Sequence, residues 1–250
     1  MVAVYRKAGT GSGGGWRECS RPAGPAGTTV TSVSNSDIED LPLFPAVAPD
    51  EFGNPALVKA LLAEVMDKLS KVVEIPSSHL AAPTPCRDYN VAQLRHHVLG
   101  WLQFFAAALA DPEGQSERID PVGWEFGTDS NPGDVVNAAH NTIEAAVDAG
   151  VAGELVVMSE AKMSGSAVLA MAFGEYIVHG WDLARSTGKE WQVADQSCIL
   201  ALAFLEGTVV PEYRGPESGF FDDQVPAAAD ASALDKLLAF AGRDPGWSPS

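Results

Sequence analysis

The chain has 250 residues, 46% of them hydrophobic, with 16 bases against 33 acids, a formal charge of −17 and a pI near 4.5. That length and apolar fraction suffice for a hydrophobic core and exclude a disordered acidic chain; no apolar run approaches the roughly 18 residues of a membrane span. So acidic a surface repels phosphate backbones and anionic lipid, which sets aside nucleic-acid and membrane partners, and the composition is that of a soluble, cytoplasmic protein.

Residues 1–36 carry Arg6, Lys7, Arg17 and Arg21 with one acid, Glu18, which leaves −20 for the rest of the chain. This stretch is rich in Gly, Ser, Thr and Pro and has no hydrophobic periodicity, so the sequence predicts a disordered leader over 1–50 and a helical domain over 51–250. It also lacks the 7–15-residue apolar stretch of a signal peptide. Three scattered cysteines, Cys19, Cys86 and Cys198, form neither a disulfide framework nor a thiolate zinc site.

The elements then follow in order. Leu57, Leu61, Leu62, Val65, Leu69 and Val72 recur at spacings of three and four, predicting a helix over 55–74 that ends at Pro76. Asn90, with Gln93 three residues on, reads as the capping box of a second helix that stops before Asp111-Pro112. A loop reaches about residue 130, and Pro132 to Ala149 reads as a third helix closed by Gly150. Residues 154–162 suggest a short strand. Ser164 or Ser166 then caps a fourth helix that Gly188 terminates, and further helices follow over about 195–210 and 232–242. The predicted fold is all-α: an up-and-down four-helix bundle with additional C-terminal helices.

The fourth helix is apolar nearly all round between Ala167 and Phe173, which marks it as central. Glu175 and His179 then fall four residues apart, on one face and one turn from each other. Of all the acids, Glu175 is the one the pattern places where water should not be, so it needs a cation, a proton or a metal. In the second helix His97 falls within the inward stripe of Leu94, Trp101, Phe104 and Ala108. Two imidazoles and a carboxylate suit a divalent metal, zinc foremost, and three protein ligands leave a fourth tetrahedral position for water or substrate. A buried His–Glu hydrogen-bonded pair without metal fits the same spacing. Asp182, three residues past His179, either orients the ligand imidazole or pairs with Arg185. Cys86 reads as a small buried residue, Cys198 as core, His96 as a flanking group, His140 as a hydrogen-bonded helix residue and His79 as exposed.

At these residues the chain resembles a known family. Cys86-Arg87-Asp88-Tyr89-Asn90-Val91, then His97-Val98-Leu99-Gly100, looks like the second-helix signature of the DinB-like bundle proteins that include mycothiol-dependent maleylpyruvate isomerase. It is most similar to an uncharacterised actinobacterial metal-binding branch. Tyr89 and Asn90 stand where that branch usually has Trp and Thr. Glu175 followed by VHGWDLARSTG (178–188) matches the second signature, and the tail with its G-R-D-P ending is similar as well; the likeness spans about residues 55–247. The resemblance implies a DinB-like bundle with His97, Glu175 and His179 as metal ligands. It also implies a thiol transferase or isomerase whose partners are a small-molecule thiol such as mycothiol and an electrophilic substrate; a homodimer is compatible with it. The alternatives are a non-catalytic metal-binding module or sensor, and a metal-free helical protein that acts by self-association.

Overall fold

The structure, a computed structural model, describes residues 38, 40–116, 119–125, 127, 130–159, 161–215 and 221–249. Most of the predicted leader, with Cys19, lies outside them. Six α-helices stand among the described residues: α1 Pro55–Val72, α2 Val91–Ala110, α3 Pro132–Asp148, α4 Gly165–Thr187, α5 Asp195–Thr208 and α6 Ala233–Phe240. The predicted strand region is a small antiparallel hairpin, β1 Leu155–Val157 with β2 Lys162–Ser164, so one expected strand is two. Within the expected leader, Lys162 N–H donates to Pro42 O and Phe44 N–H to Lys162 O, so an extended segment borders β2.

Local chemistry sets the helix starts. Asn54 accepts from the Ala56 and Leu57 N–H groups ahead of Pro55, whose missing N–H costs nothing at the first helical position. The Asn90–Gln93 capping box forms in both directions, each bond 2.9 Å. Asn131 caps α3, and Ser164 rather than Ser166 caps α4. Gly188, at φ +68°, ends α4 in the left-handed region that glycine adopts without strain.

α1 packs on α3 and α4, and α2 packs on the same two, so α1 stands diagonal to α2 and α3 to α4, while α2 and α3 are neighbours. α5 lies against α4, and α6 against α5, as the C-terminal layer. The all-α bundle is therefore as the periodicity predicts. Every residue of α4 from Ala167 to Ala184 is buried, which explains its apolar circumference: it is enclosed by α1, α2 and the C-terminal layer. Phe52 meets Phe173 edge-on at 5.6 Å, and Phe105 meets Tyr176 at 6.3 Å, both bridging elements far apart in sequence.

Gly180 is demanded by packing. A Cβ there would overlap the ring of Trp191, itself 7% exposed, which lies directly on α4 beside His179. Gly180→Ala is expected to lower stability by about 1–3 kcal/mol, the usual cost of overpacking. Urea denaturation at fixed pH checks this, and an unchanged midpoint would mean that Trp191 moves away freely.

Candidate metal centre

The buried face of α2 and the centre of α4 meet where their polar residues lie. His97 Nε2 is 3.0 Å from Glu175 Oε1, and His179 Nε2 is 3.2 Å from the same oxygen. The side chains are 15%, 2% and 8% exposed in the order His97, Glu175, His179. The two imidazole rings stand nearly perpendicular with centroids 5.2 Å apart. One ligand atom from each residue lies within 4.8 Å of the others. Tetrahedral ligands about 2.0–2.1 Å from a zinc ion are roughly 3.3 Å apart, so the donor set and its spacing fit such an ion.

The helix geometry explains the convergence. The four-residue step puts Glu175 and His179 on one face of α4. Leu94, Phe104 and Ala108, buried on α2, turn His97 towards that face. Glu175 is the shared hub.

Behind His179 the structure adds a charged chain. Asp182 Oδ2 lies 2.9 Å from His179 Nδ1 and accepts from Arg243 Nε and Nη2, each at 3.3 Å. Asp182 thus contacts the outer nitrogen of the His179 imidazole. The expected pairing with Arg185 is corrected: Arg185 is exposed and donates to Trp247 O at 2.6 Å, while the arginine on Asp182 is Arg243. Asp182 is 0% exposed, so Glu175 is not the sole acid kept from water.

On the other side, Tyr89 Oη is 3.3 Å from His97 Nδ1, and its ring stacks, tilted by 32°, at 5.0 Å. The turn carrying it is pinned by Thr84, whose hydroxyl lies 2.8 Å from both the Cys86 and Tyr89 carbonyls. Arg87 in the same turn pairs with Asp222 of the C-terminal segment.

The protonation pattern follows from burial and charge. Burial alone would raise the Glu175 carboxyl, but the charges and hydrogen bonds around it, His179 and His97 among them, hold it well below the usual range. Burial would lower both histidines. For His97 it prevails over the Glu175 bond, and the ring stays below its ordinary value. For His179 the Glu175 charge and the Asp182 bond outweigh it and raise the ring. Burial opposes the Arg243 charge too, yet Asp182 raises that group above its ordinary value.

Cys86 lies closer to the chemistry than sequence separation suggests. Its sulfur, a His179 nitrogen and an Asp182 oxygen lie within 4.8 Å of one another. Arg243 already supplies the cation at Asp182, which argues against a second metal there. Burial pushes the Cys86 thiol up to about 11 and the Cys198 thiol to about 12. Neither is a ready thiolate, and both are expected to resist iodoacetamide at pH 8 until the chain unfolds. Mass spectrometry of peptides from native and unfolded protein checks this; rapid native labelling of Cys86 would show an open path to the site.

The remaining histidines stay apart from the centre. His96 Nε2 faces Val122 O at 3.2 Å, His140 sits 3.9 Å from Glu144, and His79 is exposed. Tyr89, Cys86 and Arg243 are the site neighbours that sequence reasoning missed. The only signal was their place in the two flanking signatures.

Comparison with known proteins agrees with this layout. Residues 61–184 match the family described as the mycothiol maleylpyruvate isomerase N-terminal domain. Two uncharacterised proteins of Mycobacterium tuberculosis, from strains CDC 1551 / Oshkosh and ATCC 25618 / H37Rv, are each 24% identical over 172 residues, covering 69% of this chain and 89% of theirs. No solved structure gives a significant match. His97, Glu175 and His179 all fall inside the matched span, and residues 61–184 of the chain are similar to the mycothiol maleylpyruvate isomerase N-terminal domain family.

Proposed function

We propose that His97, Glu175 and His179 hold one divalent metal ion, zinc by their donor chemistry, and that the chain is a thiol transferase or isomerase. It acts on a small-molecule thiol of the mycothiol kind and an electrophilic substrate. The observation that carries this is the convergence of three donors from two helices on one buried point, inside the span that matches the family. When bound, the ion would supply Lewis acidity and lower the pKa of a thiol that reaches it.

The chain's own residues prepare that point. Glu175 stays ionised and offsets cationic charge. Asp182 accepts the His179 Nδ1–H, which turns Nε2 towards the centre. Arg243 balances Asp182, so that carboxylate adds no net charge behind the site. Trp101, ring centroid 6.4 Å from His97, and the phenylalanines packed on it shield the α2 side from water.

The test is metal content of protein purified without an affinity tag, together with thiol-dependent turnover, in the wild type and His97→Ala. Stoichiometric metal without turnover on any thiol–electrophile pair overturns the enzyme reading; no metal in the wild type overturns both parts. The burial of Glu175 and His179 favours a second reading, a non-catalytic metal module. It predicts that chelation lowers the melting temperature and removes no activity.

A further inference from the structure

The two histidines are given different partners on their outer nitrogens. His179 Nδ1 faces Asp182, which when ionised can only accept; His97 Nδ1 faces the Tyr89 hydroxyl, which can donate or accept. We propose that Tyr89 is the positioning residue of His97: its hydroxyl satisfies Nδ1 whichever ring nitrogen carries the proton, and so lets Nε2 exchange a carboxylate for a cation. This rests on the metal reading above for its second half only.

The argument is one of proton placement. With His97 Nε2 at 3.0 Å from the ionised Glu175, the contact is a hydrogen bond only if Nε2 carries the hydrogen. Nδ1 then holds a lone pair, and the Tyr89 O–H donates to it. A cation at Nε2 needs the lone pair there, so the proton must sit on Nδ1, where it donates to the Tyr89 oxygen. The imidazole gains and loses no proton overall; one N–H bond breaks at Nε2, one forms at Nδ1 by exchange with water, and the phenol O–H turns away.

A carboxylate in the place of Tyr89 could serve only the second state. The stacked ring and the Thr84 hydrogen bonds hold the phenol in reach for both. The half-buried turn also explains why a neutral partner suffices, since His97 is the more exposed of the two imidazoles.

The test is long-range 1H–15N correlation of the His97 ring in wild type and Tyr89→Phe, metal-free and with Zn2+, alongside competitive Zn2+ titration. The phenylalanine keeps the ring contact and loses the hydroxyl. The expected result is an Nε2–H tautomer in the metal-free wild type that becomes Nδ1–H on adding Zn2+. In Tyr89→Phe the metal-free Nδ1 resonance should shift, and Zn2+ affinity should fall about tenfold, the low end for an outer hydrogen-bond partner. An Nδ1–H tautomer in the metal-free wild type, an Nδ1 resonance unmoved in Tyr89→Phe, or unchanged Zn2+ affinity overturns the proposal. No Zn2+ uptake by the wild type would instead overturn the metal reading, and the metal-free spectra, which need no ion, would still decide for or against Tyr89.

Discussion

Asp182→Ala is expected to lower the stability of the chain by about 3–5 kcal/mol, the cost of removing one member of a buried charge pair. Asp182 is 0% exposed, and Arg243, 6% exposed, points two nitrogens at its Oδ2. Without the carboxylate, Arg243 keeps its charge in a site that water does not reach, because a guanidinium does not deprotonate to escape. His179 loses the acceptor on Nδ1 at the same time. Asp182→Asn preserves volume and an oxygen while losing the charge, so its loss should be smaller. Urea denaturation of the metal-free proteins separates the three. A loss under about 1 kcal/mol for the alanine variant would mean that Arg243 finds another counter-charge.

Glu175→Gln should have the largest effect on metal. Its Oε1 lies within 3.2 Å of both imidazoles, so the amide removes the anionic member of the set. Affinity for Zn2+ should fall by more than the roughly 10–100-fold that loss of an outer hydrogen bond costs, read by competition with a chromophoric chelator. The metal-free chain gives an independent check through pH. His179, for which the Glu175 charge and the Asp182 bond overcome burial, has a folded pKa above its ordinary 6.5. Its contribution to stability is full below 6.5 and is lost as pH rises through the raised value. His97, lowered chiefly by burial, acts in the opposite sense, so stability falls as pH drops below 6.5. Glu175, held well below 4.5 despite burial, adds to that acid-side loss. The combined contribution of these three groups to the stability of the metal-free wild type should therefore peak near pH 6.5. In Glu175→Gln the alkaline loss should shrink, because the carboxylate charge that raises His179 is gone. Identical pH profiles for the two proteins would contradict this account of the hub.

How much of this was legible in the sequence depends on the range of the interaction concerned. The helix starts at Pro55, Val91, Pro132 and Gly165 follow from side chains within three residues, so the Asn90–Gln93 box could be read directly and the cap of α4 narrowed to Ser164 or Ser166. Glu175 and His179 were equally accessible, because a four-residue step on an enclosed helix fixes their relation before any packing is known. His97 needed only the inward stripe of α2. Arg243 and Tyr89 were not accessible in this way. Arg243 sits beyond α6, and its approach to Asp182 is set by how the C-terminal layer closes on α4. For the same reason Arg185, the nearest arginine in sequence, was a natural partner for Asp182 and yet turns outward to Trp247. The single strand expected over 154–162 became a hairpin because the segment folds back on itself and pairs Leu155 with Ser164, a non-local choice that a nine-residue window does not contain.

The match to the family ends at residue 184, yet the cation that neutralises Asp182 arrives from residue 243. The matched span is thus shorter than the unit that is electrically complete. A homologue that exchanged its C-terminal layer for another would keep all three inward-facing donors and lose the counter-charge behind one of them, unless the new layer delivered a guanidinium to the same oxygen. The buried carboxylate thus ties the matched span to the layer that follows it at one point.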